Sequence, residues 1–141
     1  MTALSQLKGY YFTAVLSLLF AVIGFSYNAW RMEVSESNSN VRTASFEVLK
    51  ELAALERVVF ASHYDQDSVR GNPREGWITV GVISDLSVLI GEGVEVKANA
   101  LKDTWSSKWE QLPISEPAAI KIGAQIDDVR SEIKIVLAGL E

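Results

Sequence analysis

One histidine, His63, is followed in this 141-residue chain by Tyr64, Asp65 and Asp67, and there the residue types come nearest to chemistry. An imidazole beside two carboxylates can hold a metal ion or pass a proton, because His titrates near neutrality and Asp oxygens ligate hard cations. The same residues have a plain structural use. A charged imidazole at a helix C-terminus is favoured by the helix dipole, and aspartates order turns through their side-chain oxygens. His63, Asp65 and Asp67 are therefore weak metal candidates, and the expectation is that the chain holds no metal and no cofactor.

Other constellations lack parts. Asp65, Asp67 and Gly71 have the flavour of a calcium loop, but the glycine is one position late, Val69 takes a ligand position, and Gly76 stands where a bidentate acid is required. A di-iron bundle needs two Glu-x-x-His pairs, and a single histidine leaves haem poorly ligated. The absence of cysteine removes thiol nucleophiles, disulfides and cysteine-bound zinc or iron–sulfur clusters. With no Gly-x-Ser-x-Gly elbow and no phosphate-binding glycine loop, no enzyme class has its full set, and a non-enzymatic protein is expected. Trp105 and Trp109, four residues apart, form a core stripe or a partner-facing stripe, and they are the candidate partner-facing residues.

The elements that position these residues begin with a membrane segment. Between Lys8 and Arg31 there is no charged side chain, and the run from Tyr10 to Trp30 is long enough, at 1.5 Å per residue, to cross about 30 Å of hydrocarbon. Tyr10, Tyr11, Tyr27 and Trp30 stand at its two ends, where amphipathic rings favour the membrane interface. A cleaved secretory signal is the competing reading. Its small-x-small cleavage site is poorly formed, because Ala29 has the bulky Tyr27 two positions before it. Lys8 with the amino terminus on one side and Arg31 and Arg42 on the other do not decide orientation, so the expectation of a cytoplasmic N-terminus and an exported domain rests on the short N-terminal tail. In a bacterium that places the domain in the periplasm, on a single-pass inner-membrane protein.

Helical periodicity dominates the rest. Val41, Ser45, Val48, Leu52, Leu55 and Val59 recur every three to four residues, widened by Ala44, Phe46, Leu49 and Phe60, and predict a helix over about 36–64. Asn72-Pro73-Arg74-Glu75 is a helix start: Asn72 caps, Pro73 fits the first helical position, and Glu75 can reach back to the cap amide. The second helix then runs over 73–90, apolar on almost every side, and Gly91-Glu92-Gly93 breaks it. Val94, Ala98, Leu101, Trp105, Trp109 and Leu112 predict a third over 94–111, ended by Pro113. Ser115 caps a fourth over 115–140, whose stripe is Ile122, Ile126, Val129, Ile133, Val136, Leu137 and Leu140.

The reading is thus all-α: a tail over 1–9, a transmembrane helix over 10–30, a polar linker or helix start over 31–40, and a helical domain over 41–141. Four amphipathic helices with short connections predict an antiparallel four-helix bundle. Residues 31–141 carry 12 basic and 18 acidic side chains, a net −6, which disfavours nucleic acid as a partner.

Lys8-Gly9 followed by aromatic and apolar residues resembles the processing site of type IV pilin-like proteins, which would make the chain a pilin-like component cut after Gly9. That resemblance covers about the first thirty residues. It implies a head built around a β-sheet and a glutamate where Ala14 stands. The architecture is also similar to the helical-bundle sensory ectodomains of bacterial transmembrane receptors, although the residues before the span leave no room for a signalling output. The leading expectation is a membrane-anchored interaction or adaptor module of the cell envelope, bound to the bilayer and to another membrane or periplasmic protein or to itself. A ligand-sensing ectodomain that signals through a partner is the second.

Overall fold

The computed structural model describes the backbone of residues 2–140 and the side chains of 7–140. Four helices carry the chain: α1 (Thr2–His63), α2 (Pro73–Ser87), α3 (Glu92–Lys108) and α4 (Glu116–Ala138), with a 3₁₀ turn at Trp109–Gln111. The chain divides into two compact units between Asn38 and Ser39.

The first unit is the N-terminal part of α1. Among the described residues this is the one helix long and apolar enough, by length and composition, to cross a membrane, and none of its apolar stretch is buried within the chain. The expected helix start near residue 36 is absent, because α1 continues unbroken through the polar run 35–40. Serine and asparagine each weaken a helix by about 0.5 kcal/mol relative to alanine. An interruption would instead leave up to eight backbone groups to be capped. No glycine or proline lies between Phe25 and Arg70 to force the break, and the Thr43 hydroxyl donates to the Ser39 carbonyl at 2.9 Å within the helix.

The second unit, 39–141, is a bundle made by the C-terminal part of α1 with α2, α3 and α4. Val48, Leu52, Leu55 and Val59 from α1 meet Val80 and Ile83 from α2, Val94, Leu101 and Trp105 from α3, and Ile122, Ile126, Val129 and Ile133 from α4 in one core. Each of these large side chains contributes about 1.5–3 kcal/mol by leaving water. Polar contacts join the helices at the surface of this core: Ser84 donates to Asn99 across α2 and α3 at 3.1 Å, and Glu56 of α1 pairs with Arg130 of α4 at 3.1 Å. Phe46 and Phe60 do not widen the buried face as expected. Each sits one position beyond the core stripe and is exposed, 60% and 50% respectively.

The ends of α2, α3 and α4 differ from expectation by a turn at most, whereas α1 already begins at Thr2, inside the expected tail. α2 stops at Ser87 and tightens over Val88–Ile90, where Leu89 and Ile90 amides donate to the Leu86 and Ser87 carbonyls. The break then shrinks to Gly91, whose φ of 152° is open to glycine alone; Glu92 and Gly93 already belong to α3. Asn72 caps α2 by accepting from the Arg74 amide at 3.0 Å, and Ser115 caps α4 by accepting from the Ala118 amide at 3.3 Å.

Candidate functional site

The chain after His63 turns sharply. Gln66 adopts a left-handed φ of 52°, and its side-chain amide donates to the His63 carbonyl at 2.5 Å and the Pro113 carbonyl at 2.9 Å. One side chain thereby satisfies a carbonyl left open at the end of α1 and fastens the α1–α2 loop to the segment before α4. The loop closes against α1 so tightly that a Cβ at Gly71 would lie 2.5 Å from both Cα and N of Ser62, a position only glycine fits.

This turn disperses the metal candidates. His63 is half-buried, with Nδ1 2.8 Å from the Leu112 carbonyl. A carbonyl only accepts, so Nδ1 carries the hydrogen and that nitrogen is committed to the fold. The ring meets Tyr64 edge-on, centroids 4.7 Å apart. Asp67 accepts from the Val69 and Arg70 amides, both at 3.0 Å, and from Arg70 Nε at 2.7 Å. Foremost the Arg70 guanidinium, then the two amides, hold its carboxyl down at about 2. Asp65 faces the same guanidinium at 3.6 Å, and Arg70 is raised in turn, chiefly by its bond to Asp67. His63, Asp65 and Asp67 therefore point to Leu112 and Arg70 rather than to a shared centre. Among the described residues no three His, Asp or Glu side chains are grouped to hold a metal ion.

The tryptophans separate. Trp105 is fully buried, so as a partner-facing residue it is corrected to a core one, while Trp109 is half-buried against the core edge. Gly76 of α2 faces the Trp105 indole so closely that a Cβ there would fall inside the ring's van der Waals envelope, with Cε2 at 3.0 Å. Among the described residues the indole N–H has no acceptor. At the start of α2, Asn72 and Pro73 occupy the expected cap and first-turn positions; Glu75 is exposed and makes no bond back to the Asn72 amide. Tyr10, Tyr11, Tyr27 and Trp30 are all exposed on α1, and the Tyr27 and Trp30 rings lie 6.2 Å apart.

Several working residues carry no local sequence signal. Arg130 joins Asp127 on its own helix, at 2.5 Å, to Glu56 on α1, and Arg42 donates to the Leu140 carbonyl at 2.8 Å. These partners lie 74 and 98 positions away, beyond any motif. Open grooves lie on the bundle surface. The one beside Arg57, Phe60, Ala61, Asp65 and Arg70 has a volume of about 430 Å³. Comparison of the chain with protein-family models, with curated proteins and with solved structures finds no match.

Proposed function

We propose that the chain is a non-enzymatic, single-pass membrane protein whose helical bundle serves as an interaction or adaptor module of the cell envelope, with the bundle on the exported side. The observation that carries this reading is the exposure of the whole apolar run from Tyr10 to Trp30, in which Phe12, Leu18, Phe20, Ile23 and Phe25 are each more than half accessible. Taking such a side chain out of water is worth about 1.5–3 kcal/mol, so covering the run is worth on the order of 20 kcal/mol. A bilayer covers all sides of a single helix at once, and in α1 every backbone group away from the ends is bonded within the helix, as hydrocarbon demands. Tyr10, Tyr11, Tyr27 and Trp30 mark the two interfaces.

The adaptor reading rests on the bundle itself. Its chemistry-bearing candidates are spent on loops and caps, whereas its surface keeps large apolar side chains, including Phe46, Phe60, Ile78, Leu89 and Ile135, in water. The pilin-like reading receives no such support, since it implies a sheet and the described residues form helices only.

The test is to express the full chain with a C-terminal reporter, to separate membrane from soluble fractions, and to weigh the mature N-terminus. An intact N-terminus in the membrane fraction with an exported reporter is the expected result. A chain beginning at Tyr10 would favour pilin-like processing, one beginning near Trp30 would mean a soluble exported protein, and a cytoplasmic reporter would invert the orientation.

A further inference from the structure

Besides the stripe that faces the core, the bundle part of α1 carries a second one. Phe46, Lys50, Ala53, Arg57, Phe60 and, one residue past the end of α1, Tyr64 follow one another at alternating steps of four and three. That is the two-per-heptad spacing of a seam read by another helix, narrower than the stripe a bundle core requires. Among the described residues most of it is uncovered: Phe46, Phe60 and Tyr64 are 60%, 50% and 59% exposed, Lys50 and Arg57 are exposed between them, and the small Ala53 at the centre is half-buried. The seam extends over about 27 Å of helix and ends at the open groove of about 430 Å³ beside Phe60.

Its charge runs against that of the molecule. Residues 31–141 have a net charge of −6, yet the six seam positions include two cations and no carboxylate. Lys50 is compensated by Glu47 at 2.8 Å, and Arg70, at the groove, by Asp65 and Asp67. Arg57 has no hydrogen-bonded or ion-paired partner among the described residues.

We infer that this seam docks an acidic amphipathic helix of another protein, whose apolar positions cover Phe46, Ala53, Phe60 and Tyr64 and whose carboxylate pairs with Arg57. The inference deepens the adaptor reading by naming the partner's chemistry, and it rests on that reading. A second copy is a poor occupant: chains anchored with one orientation would pair in parallel, setting Arg57 against Arg57 and Lys50 against Lys50 at the seam's centre. An anionic lipid surface is a poor one too, because a single uncompensated cation supplies only about 1 kcal/mol of attraction. An acidic helix satisfies the apolar row and the lone guanidinium together, and Arg is the side chain that most favours such pairing with a carboxylate.

The test places photoreactive benzoylphenylalanine at position 60, and separately at exposed position 135 on α4, in the full chain in its native membranes. Position 60 should give an adduct with a second protein, mapped to a helical segment richer in Asp and Glu than in Lys and Arg, and position 135 should not. Arg57→Glu, at an exposed site that leaves helix content unchanged by circular dichroism, should lower the adduct about tenfold. An adduct with the chain itself, with lipid only, or with a segment of no acidic excess would overturn the inference, as would an adduct indifferent to Arg57→Glu or none at all. Fractionation separates the two claims: a soluble chain that still gives the adduct sinks the anchor and spares the seam, whereas an anchored chain without it sinks the seam.

Discussion

Gly76 and Gly81 lie five residues apart on α2, and the same substitution at each should move stability in opposite directions. A Cβ at Gly76 meets the Trp105 ring, which is fully buried and cannot turn aside without displacing its neighbours, whereas a Cβ at Gly81 meets nothing within 4 Å. Overpacking a close-packed core costs about 1–3 kcal/mol, and a rigid indole places Gly76→Ala at the upper end. Replacing glycine by alanine inside a helix returns about 1 kcal/mol at either site. The balance is a loss of about 2 kcal/mol for Gly76→Ala and a gain of about 1 kcal/mol for Gly81→Ala. For a bundle of roughly 100 residues that corresponds to a Tm about 10 °C lower and about 5 °C higher. Thermal unfolding of the full chain in detergent, followed by tryptophan fluorescence, reads both. The reasoning fails if Gly76→Ala matches the parent or if the two variants shift together.

Asn72→Ala removes the side-chain acceptor of the Arg74 amide and should lower stability by about 1 kcal/mol in urea unfolding, while Glu75→Ala, which breaks no cap bond, should change it little. Glu56→Ala should weaken the bundle by about 0.5–1 kcal/mol, because its partly accessible pair with Arg130 is screened and Asp127 still holds the guanidinium. Asp67 has a folded-state value of about 2, below its ordinary 3.8, so its contribution is complete above about pH 4 and disappears as pH falls through 2. The Tm difference between the parent and Asp67→Asn should accordingly shrink over that window, and a difference that grows on acidification would reverse the assignment.

The core was legible because its determinants are local. Val48, Leu52, Leu55 and Val59, and likewise Ile122, Ile126, Val129 and Ile133, repeat with the helical period and are all buried. Asn72-Pro73 announced α2 because a cap is satisfied within three residues. What escaped was decided at a distance. Phe46 and Phe60 read as core because periodicity tolerates one neighbouring position, and only the approach of the other helices decides which side is covered. Trp105 could not be assigned to core or surface without Gly76 opposite it. The cluster of His63, Asp65 and Asp67 is adjacent in sequence, but its directions depend on Arg70 and on the Leu112 carbonyl. Gln66 in a left-handed conformation has no sequence signature, since that backbone state usually belongs to glycine or asparagine. The sequence leaves 35–40 open between a linker and a helix start, because Ser and Asn favour caps where a cap is needed; here they lie within α1, which continues through them.

The claim that residues 10–30 cross a bilayer admits a direct measurement, because the chain has no cysteine of its own. Single cysteines replacing Phe20, Ser39 and Ser106 can be exposed to a membrane-impermeant maleimide in intact and detergent-solubilised membranes. A thiol reacts as the thiolate, which does not form in hydrocarbon. The account predicts that Phe20→Cys stays unlabelled until detergent is added, while Ser39→Cys and Ser106→Cys react from the exported side. Labelling of Phe20→Cys at the rate of Ser39→Cys in intact membranes, or its loss from the mature chain, would contradict the anchor.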